Sequence, residues 1–218
     1  MLHLKGETIV YPLPDEELLR SDEEYWGIRF PDDYREFLKT YNGAEPVEKS
    51  FEAIGHLFAL TRFFCALEDY KERDEGWYDL MVVEAPMTEF LTRDPDSTAV
   101  ELAPIGEVFG ECFLCLDYRQ DPEHPGVCIL DKENSGEYDP TTYPVANSFT
   151  EFLGMLHITE DEMLGFGDDL RKELADPRVI EVPTGEGDRQ ELAERAARRE
   201  EPAPQKRRWK WPWQNWRM

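Results

Sequence analysis

Cys112 and Cys115 stand three residues apart, the spacing of a dithiol redox pair or of half a zinc site. Their surroundings, Glu111 to Asp117 (ECFLCLD), read as a strand, and residues three apart on a strand face opposite sides. Cys65 and Cys128 add no second Cys-x-x-Cys, so buried, reduced thiols are the expected state of all four cysteines. His3, His56, His124 and His157 are scattered, with neither triad nor metal-ligand spacing. G-x-S-x-G, P-loop, H-E-x-x-H and dinucleotide-binding patterns do not occur. The expectation is therefore a protein that is not an enzyme, with no catalytic residue, no cofactor and no metal.

The chemistry that the chain does offer is electrostatic. It holds 48 acidic against 24 basic residues, a net charge of −24. Five of the basic groups (Lys206, Arg207, Arg208, Lys210, Arg217) lie in residues 206–218, which hold no acidic one; residues 1–205 thus carry 24 − 5 = 19 basic groups against 48 acidic, a net of −29. Such a body repels nucleic-acid phosphates and anionic lipid, and it draws in basic proteins and speeds their encounter. Asp22, Glu23 and Glu24, with Asp121 and Glu123, are the carboxylates expected to meet a basic partner.

The cationic tail is interleaved with Trp209, Trp211, Trp213 and Trp216. Its composition is similar to that of short tryptophan-rich membrane-active peptides, and it suits contact with anionic lipid or stacking on single-stranded nucleic acid. The reading placed first is docking on the chain's own acidic body or on a partner, through Lys206, Arg207, Arg208, Trp209, Trp211, Trp213 and Trp216. A disordered extension without a dedicated role is the plain alternative.

Amphipathic helices and short strands must position these groups. Tyr34, Phe37, Leu38 and Tyr41 fall at i, i+3, i+4 and i+7, predicting a helix from Pro31 to Tyr41 that stops at Asn42-Gly43. Asp15 to Tyr25 reads as a short acidic helix before it. Phe149, Phe152, Leu153 and Leu156 repeat the register behind a capping box of Ser148 and Glu151. Between them, Glu111 to Asp117 and Val127 to Leu130 predict an antiparallel hairpin buried on both faces. Gly55 to Leu60 is a further strand, and Ala66 to Val83 is ambiguous between helix and strand. Thr159 and Glu162 form a second capping box, opening a helix to about Ala175 that Gly165 and Gly167 weaken. Residues 183–188 read as a linker and Asp188 to Glu201 as a charged helix.

Several of these segments carry a resemblance. Pro31-Asp-Asp-Tyr34-Arg-Glu-Phe37-Leu38 with Tyr41-Asn42-Gly43 resembles the opening signature of the SUKH superfamily. The blocks that follow keep the family's order: Pro104-Ile105-Gly106 with Phe109-Gly110, Leu116-Asp117-Tyr118-Arg119, Val127 through Glu133, and Val145 through Phe149 with Phe152-Leu153. Single blocks are unspecific, and their ordered occurrence over about residues 15–157 carries the resemblance. It implies an α+β fold with one domain, an antiparallel-rich central sheet flanked by helices. It also implies a binding module, since bacterial members commonly neutralise toxins and fungal members act in cell-wall regulation.

The expected organisation is a SUKH-like domain over 1–157, a helical extension over 158–182, a linker and charged helix over 183–205, and a disordered basic tail over 206–218. The expected function is that of a cytoplasmic immunity protein whose acidic surface binds a basic toxin domain, nucleases included, with an intracellular regulatory scaffold of the cell-wall regulator type as the alternative. Nucleic acid is not expected to bind the body, and membrane contact is expected only through the tail.

Overall fold

The computed structural model describes residues 1–97, 99–185 and 187–191. The fold is α+β and is built on an antiparallel meander. Strands β3 (Ser50–Ala53), β4 (His56–Phe63), β5 (Leu102–Val108), β6 (Cys112–Asp117), β7 (Gly126–Gly136) and β8 (Asp139–Ala146) lie side by side in chain order. A smaller sheet of order β2-β1-β9 joins β1 (Leu2–Lys5), β2 (Glu45–Pro46) and β9 (Val179–Val182). Helices α1 (Glu16–Trp26), α2 (Asp32–Tyr41), α3 (Leu80–Glu84), α4 (Phe149–Met155) and α5 (Glu160–Leu174) surround the sheets.

The helix ends follow the local signals. Asp15 caps α1 by accepting from the Glu17 and Leu18 amides, and Gly27 at φ 66° stops it. Pro31 sits at the N-cap of α2. The Thr159–Glu162 capping box of α5 is complete, and the helix kinks at Phe166, between the two glycines that weaken it. The Ser148–Glu151 box is only half formed. Ser148 accepts from the Glu151 amide, but the Glu151 carboxylate accepts from Asn147, through its backbone N at 2.8 Å and its side-chain amide at 2.9 Å. Asn147 offers two donors where the box would offer one.

The hairpin β6–β7 pairs as expected, with Cys115 opposite Cys128. Alternation along β6 sends Cys112, Leu114 and Leu116 into the main core and Cys115 into a second cluster with Cys128, Leu130, Met87 and Leu91. All four cysteines are buried and unbonded to one another. Burial pushes the Cys65 thiol up to about 12 and raises those of Cys115 and Cys128 well above their ordinary value.

Two regions depart from the sequence expectation. The ambiguous stretch Ala66 to Val83 contains short 3-10 turns at Tyr70–Glu72 and Asp74–Tyr78, followed by the start of α3. In the segment 158–182, α5 ends at Leu174 as its sequence signals predict, but β9, which they do not show, then pairs antiparallel with β1, Leu2 opposite Val182 and Lys5 opposite Val179. Val182 is 3% exposed and belongs to the main core, so the helical extension continues into a strand that packs into the fold. Most of the helix expected over 188–201, and all of the tail over 206–218, lie outside the described residues.

Candidate partner-binding surface

The signature residues mostly build the interior. Tyr34, Phe37 and Phe149 meet edge to face, with ring centroids 5.0 Å (Tyr34–Phe149) and 5.1 Å (Phe37–Phe149) apart, and Phe37 continues to Phe63 at 4.7 Å. Leu38 and Phe152 are fully buried beside them. Asn42 is also fully buried, and its amide donates to the carbonyls of Val10 (3.2 Å) and Ala66 (3.1 Å) while its Oδ1 accepts from the Ala66 amide (2.9 Å). One side chain thereby satisfies three backbone groups that would otherwise be stranded. Gly43, at φ 70°, and Gly106 have no room for a side chain: a Cβ would fall 2.9 Å from Cys65 in the first case and 3.0 Å from the Arg62 carbonyl in the second. Pro104 and Gly106 flank a break in the β5–β6 register. Asp117 pairs with Arg119 at 2.6 Å, and Arg119 donates on to Thr142 at 2.7 Å.

Where these residues reach the surface they wall a groove of about 760 Å³. Arg29 to Asp33 form one side, Pro122 to Pro125 another, and Asn147 to Phe149 the third. The walls are tied together. The Tyr118 hydroxyl donates to the Arg29 carbonyl at 2.9 Å, fastening the end of β6 to the α1–α2 loop. Asp33 Oδ2 accepts from the Thr150 amide (2.9 Å) and hydroxyl (2.8 Å), fastening the start of α2 to α4. Asp121 folds the loop by accepting from the Glu123 amide (2.9 Å) and the His124 amide (3.1 Å), and those two backbone bonds hold its carboxyl below the usual range. Glu123 and Asp32 stand exposed on the rim.

The structure separates the carboxylates expected to meet a partner. Glu123 lies on the groove and Asp121 shapes its loop. Glu24 is exposed on a second, smaller groove of about 410 Å³ beside Glu17 and Glu68, with Arg20 at 3.7 Å. Asp22 and Glu23 are not surface contacts, which corrects the sequence expectation: they are 7% and 8% exposed. Glu23 accepts from the Phe30 amide at 2.8 Å and pairs with Arg35 at 2.5 Å. Asp22 is raised to about 7 by burial and by the carboxylates of Asp79 and Glu23. The signal is present in the chain, because Leu19, Asp22, Glu23 and Trp26 share the inward stripe at i, i+3, i+4 and i+7. Here the helix register outweighs the charge run. Sequence reasoning also misses the exposure of Ile54, Leu57 and Phe109, which are 52%, 57% and 79% exposed; an apolar residue in a turn or near a strand end carries no periodic signal of the face it takes.

Residues 13–155, well over half of the chain, match the model of the SMI1 / KNR4 family (SUKH-1). The chain belongs to this family. No curated protein and no solved structure gave a match. A SUKH-1 domain accounts for the ordered signature blocks and is consistent with a protein-interaction module, the general way in which SUKH domains act. The family match begins just before α1 and ends with α4, whereas β1 and β9, the central strand and one edge strand of the small sheet, lie outside it in sequence. Among the described residues no cluster of His, Cys, Asp and Glu has the arrangement of a metal site, and no helix is long and apolar enough to cross a membrane.

Proposed function

We propose that the chain is a non-enzymatic SUKH-1 immunity protein of the cytoplasm, which neutralises a basic toxin domain of the nuclease kind by stoichiometric binding. The observation that carries this reading is the groove at the α2 and α4 N-termini, whose walls are cross-tied by Asp33, Tyr118 and Asp121 while Glu123 and Asp32 stand exposed on its rim. A nuclease cleft is basic because it must hold phosphates, and carboxylates held on a rigid frame can occupy it. The high acidic charge supports the same reading by steering a basic partner into contact.

The test is co-expression with the toxin-like reading frame nearest its gene. Growth should be rescued by the natural chain, and a double reversal, Asp32→Lys with Glu123→Lys, should weaken binding by roughly tenfold or more, with a flatter salt dependence. Rescue that is indifferent to both reversals would remove the groove from the reading. If no encoded toxin becomes tolerable, and only housekeeping or envelope-synthesis proteins bind, the regulatory scaffold replaces immunity.

A further inference from the structure

A second surface lies at the other end of the meander. The β6–β7 loop that lines the groove follows Asp117, and the turns at the opposite ends of the strands are Ile54-Gly55, Phe109 to Glu111 and Glu137-Tyr138. Each holds one non-glycine residue at positive φ: Ile54 at 48°, Glu111 at 59° and Tyr138 at 57°. Such backbone is strained for any residue but glycine, and a β-branched isoleucine is the least suited to it. At two of the three turns the strain is accompanied by exposed apolar side chains.

Leu57 and Phe109 share the outward face of the sheet. Leu60 and Val108 are register partners that point into the main core, so the residues an odd number of places away point outward. Glu52, the partner of Leu57, lies on the same strip with Glu107 and Glu111, all exposed. Among the described residues none of these three carboxylates has an ion pair. Glu107 accepts from the Thr61 hydroxyl at 2.7 Å, and its register partner Arg62 is instead laid over the Tyr78 ring, 3.6 Å from the centroid, donating to the Gly43 carbonyl. Elsewhere Trp77, Tyr25 and Tyr11 are also exposed, and Leu164 and Phe166 on α5 lie near Asp168 and Asp169, which pair with Arg171 and Lys172.

We propose that this strip is the docking site of the chain's own segment Lys206–Arg217. That segment holds five cations, four tryptophans and no carboxylate, the complement of an apolar strip set among unmatched carboxylates. The tether is long enough. Residues 192–205 separate the last described residue from Lys206, and 14 extended residues span about 46 Å. The chain is still held to the fold at Asp188, which accepts from the Thr184 amide and hydroxyl and pairs with the Met1 amine, and Thr184 lies against Gly154 of α4. Beyond α4 the His157 amide bonds the Ser50 carbonyl at the start of β3, and β3 runs about 13 Å to the Ile54-Gly55 turn. Tethering at that range gives a local concentration of order millimolar. The site lies away from the groove, and the inference stands whether or not the immunity reading does.

Zero-length carbodiimide cross-linking of the full-length chain at low salt tests it, with light and nitrogen-15-labelled copies mixed to separate intrachain from interchain products. Lys206 and Lys210 should link within one chain to Glu52, Glu107 and Glu111, and these links should fade at high salt as screening shortens. Links that gather on Glu17 and Glu24 of α1, or that join only separate copies, overturn the proposal. In the full-length Leu57→Ser, Phe109→Ser double variant, whose folding is checked by circular dichroism, the link yield should fall roughly tenfold, about what losing two apolar contacts removes. Tail tryptophan emission should shift to the red as well; an unchanged yield and emission would overturn the assignment of the strip.

Discussion

The two ends of the meander are built on opposite principles. At the groove end the polar groups are committed to internal bonds. Asp33 bridges two helices, Glu23 holds the Phe30 amide and Arg35, and Tyr118 fixes a loop. Beneath them Tyr34, Phe37 and Phe149 are packed ring against ring. At the hairpin end apolar side chains face solvent beside carboxylates that form no ion pair among the described residues, on turns that hold non-glycine residues at positive φ. The difference teaches that the first end uses its residues to hold a shape, whereas the second leaves contacts unmade. The family match ends at residue 155, and both ends of the meander lie inside it.

The contrast is tested most severely at Phe149. Phe149→Ala removes a ring that touches Tyr34, Phe37 and Phe63, and it should lower stability by about 3–5 kcal/mol in urea denaturation. A loss below about 1 kcal/mol would mean that the groove walls do not rest on this cluster.

An intermediate effect is expected at Asp22. Its folded-state value of about 7 lies above the ordinary 3.8, so the folded chain keeps a proton that the unfolded chain releases. Stability is therefore greatest at low pH within this window and falls as pH rises from about 4 through about 7. Asp22→Asn stays neutral throughout. It should unfold at higher urea than the natural chain at pH 8, by about 1–2 kcal/mol after allowance for solvent screening, and match it near pH 4. Asp79, raised to about 6 by burial, keeps part of the slope in both proteins. Parallel pH profiles would show that Asp22 carries no strained charge.

The smallest effect belongs to the hairpin end. Phe109→Ala should change stability by no more than about 0.5 kcal/mol, because a side chain 79% exposed contributes little to the fold. A loss of about 2 kcal/mol or more, outside the usual range for surface positions, would make Phe109 a structural residue and erase the contrast.

Much of this is legible in the chain. The stripe from Tyr34 to Tyr41, the Asn42-Gly43 stop and the alternation along ECFLCLD depend on neighbours within one or two turns, and each appears as expected. The four-residue strands LHLK and VIEV are not legible, since neither is long enough to show a period and their pairing joins the two ends of the described fold. Glu151 shows the same limit on a smaller scale: its spacing from Ser148 promises a capping box, and the choice of Asn147 as donor depends on geometry.

The sequence by itself determined the family, the α+β class, the main helices and the acidic charge of the body, because these rest on local periodicity, ordered motifs and composition. Only the tertiary structure decided which charges are available. It turned Asp22 and Glu23 inward, placed Glu123 on a groove and gathered three distant turns at one end of a sheet. The physical reason is that exposure and ion pairing depend on what long-range packing brings alongside a residue, and no spacing along the chain records that.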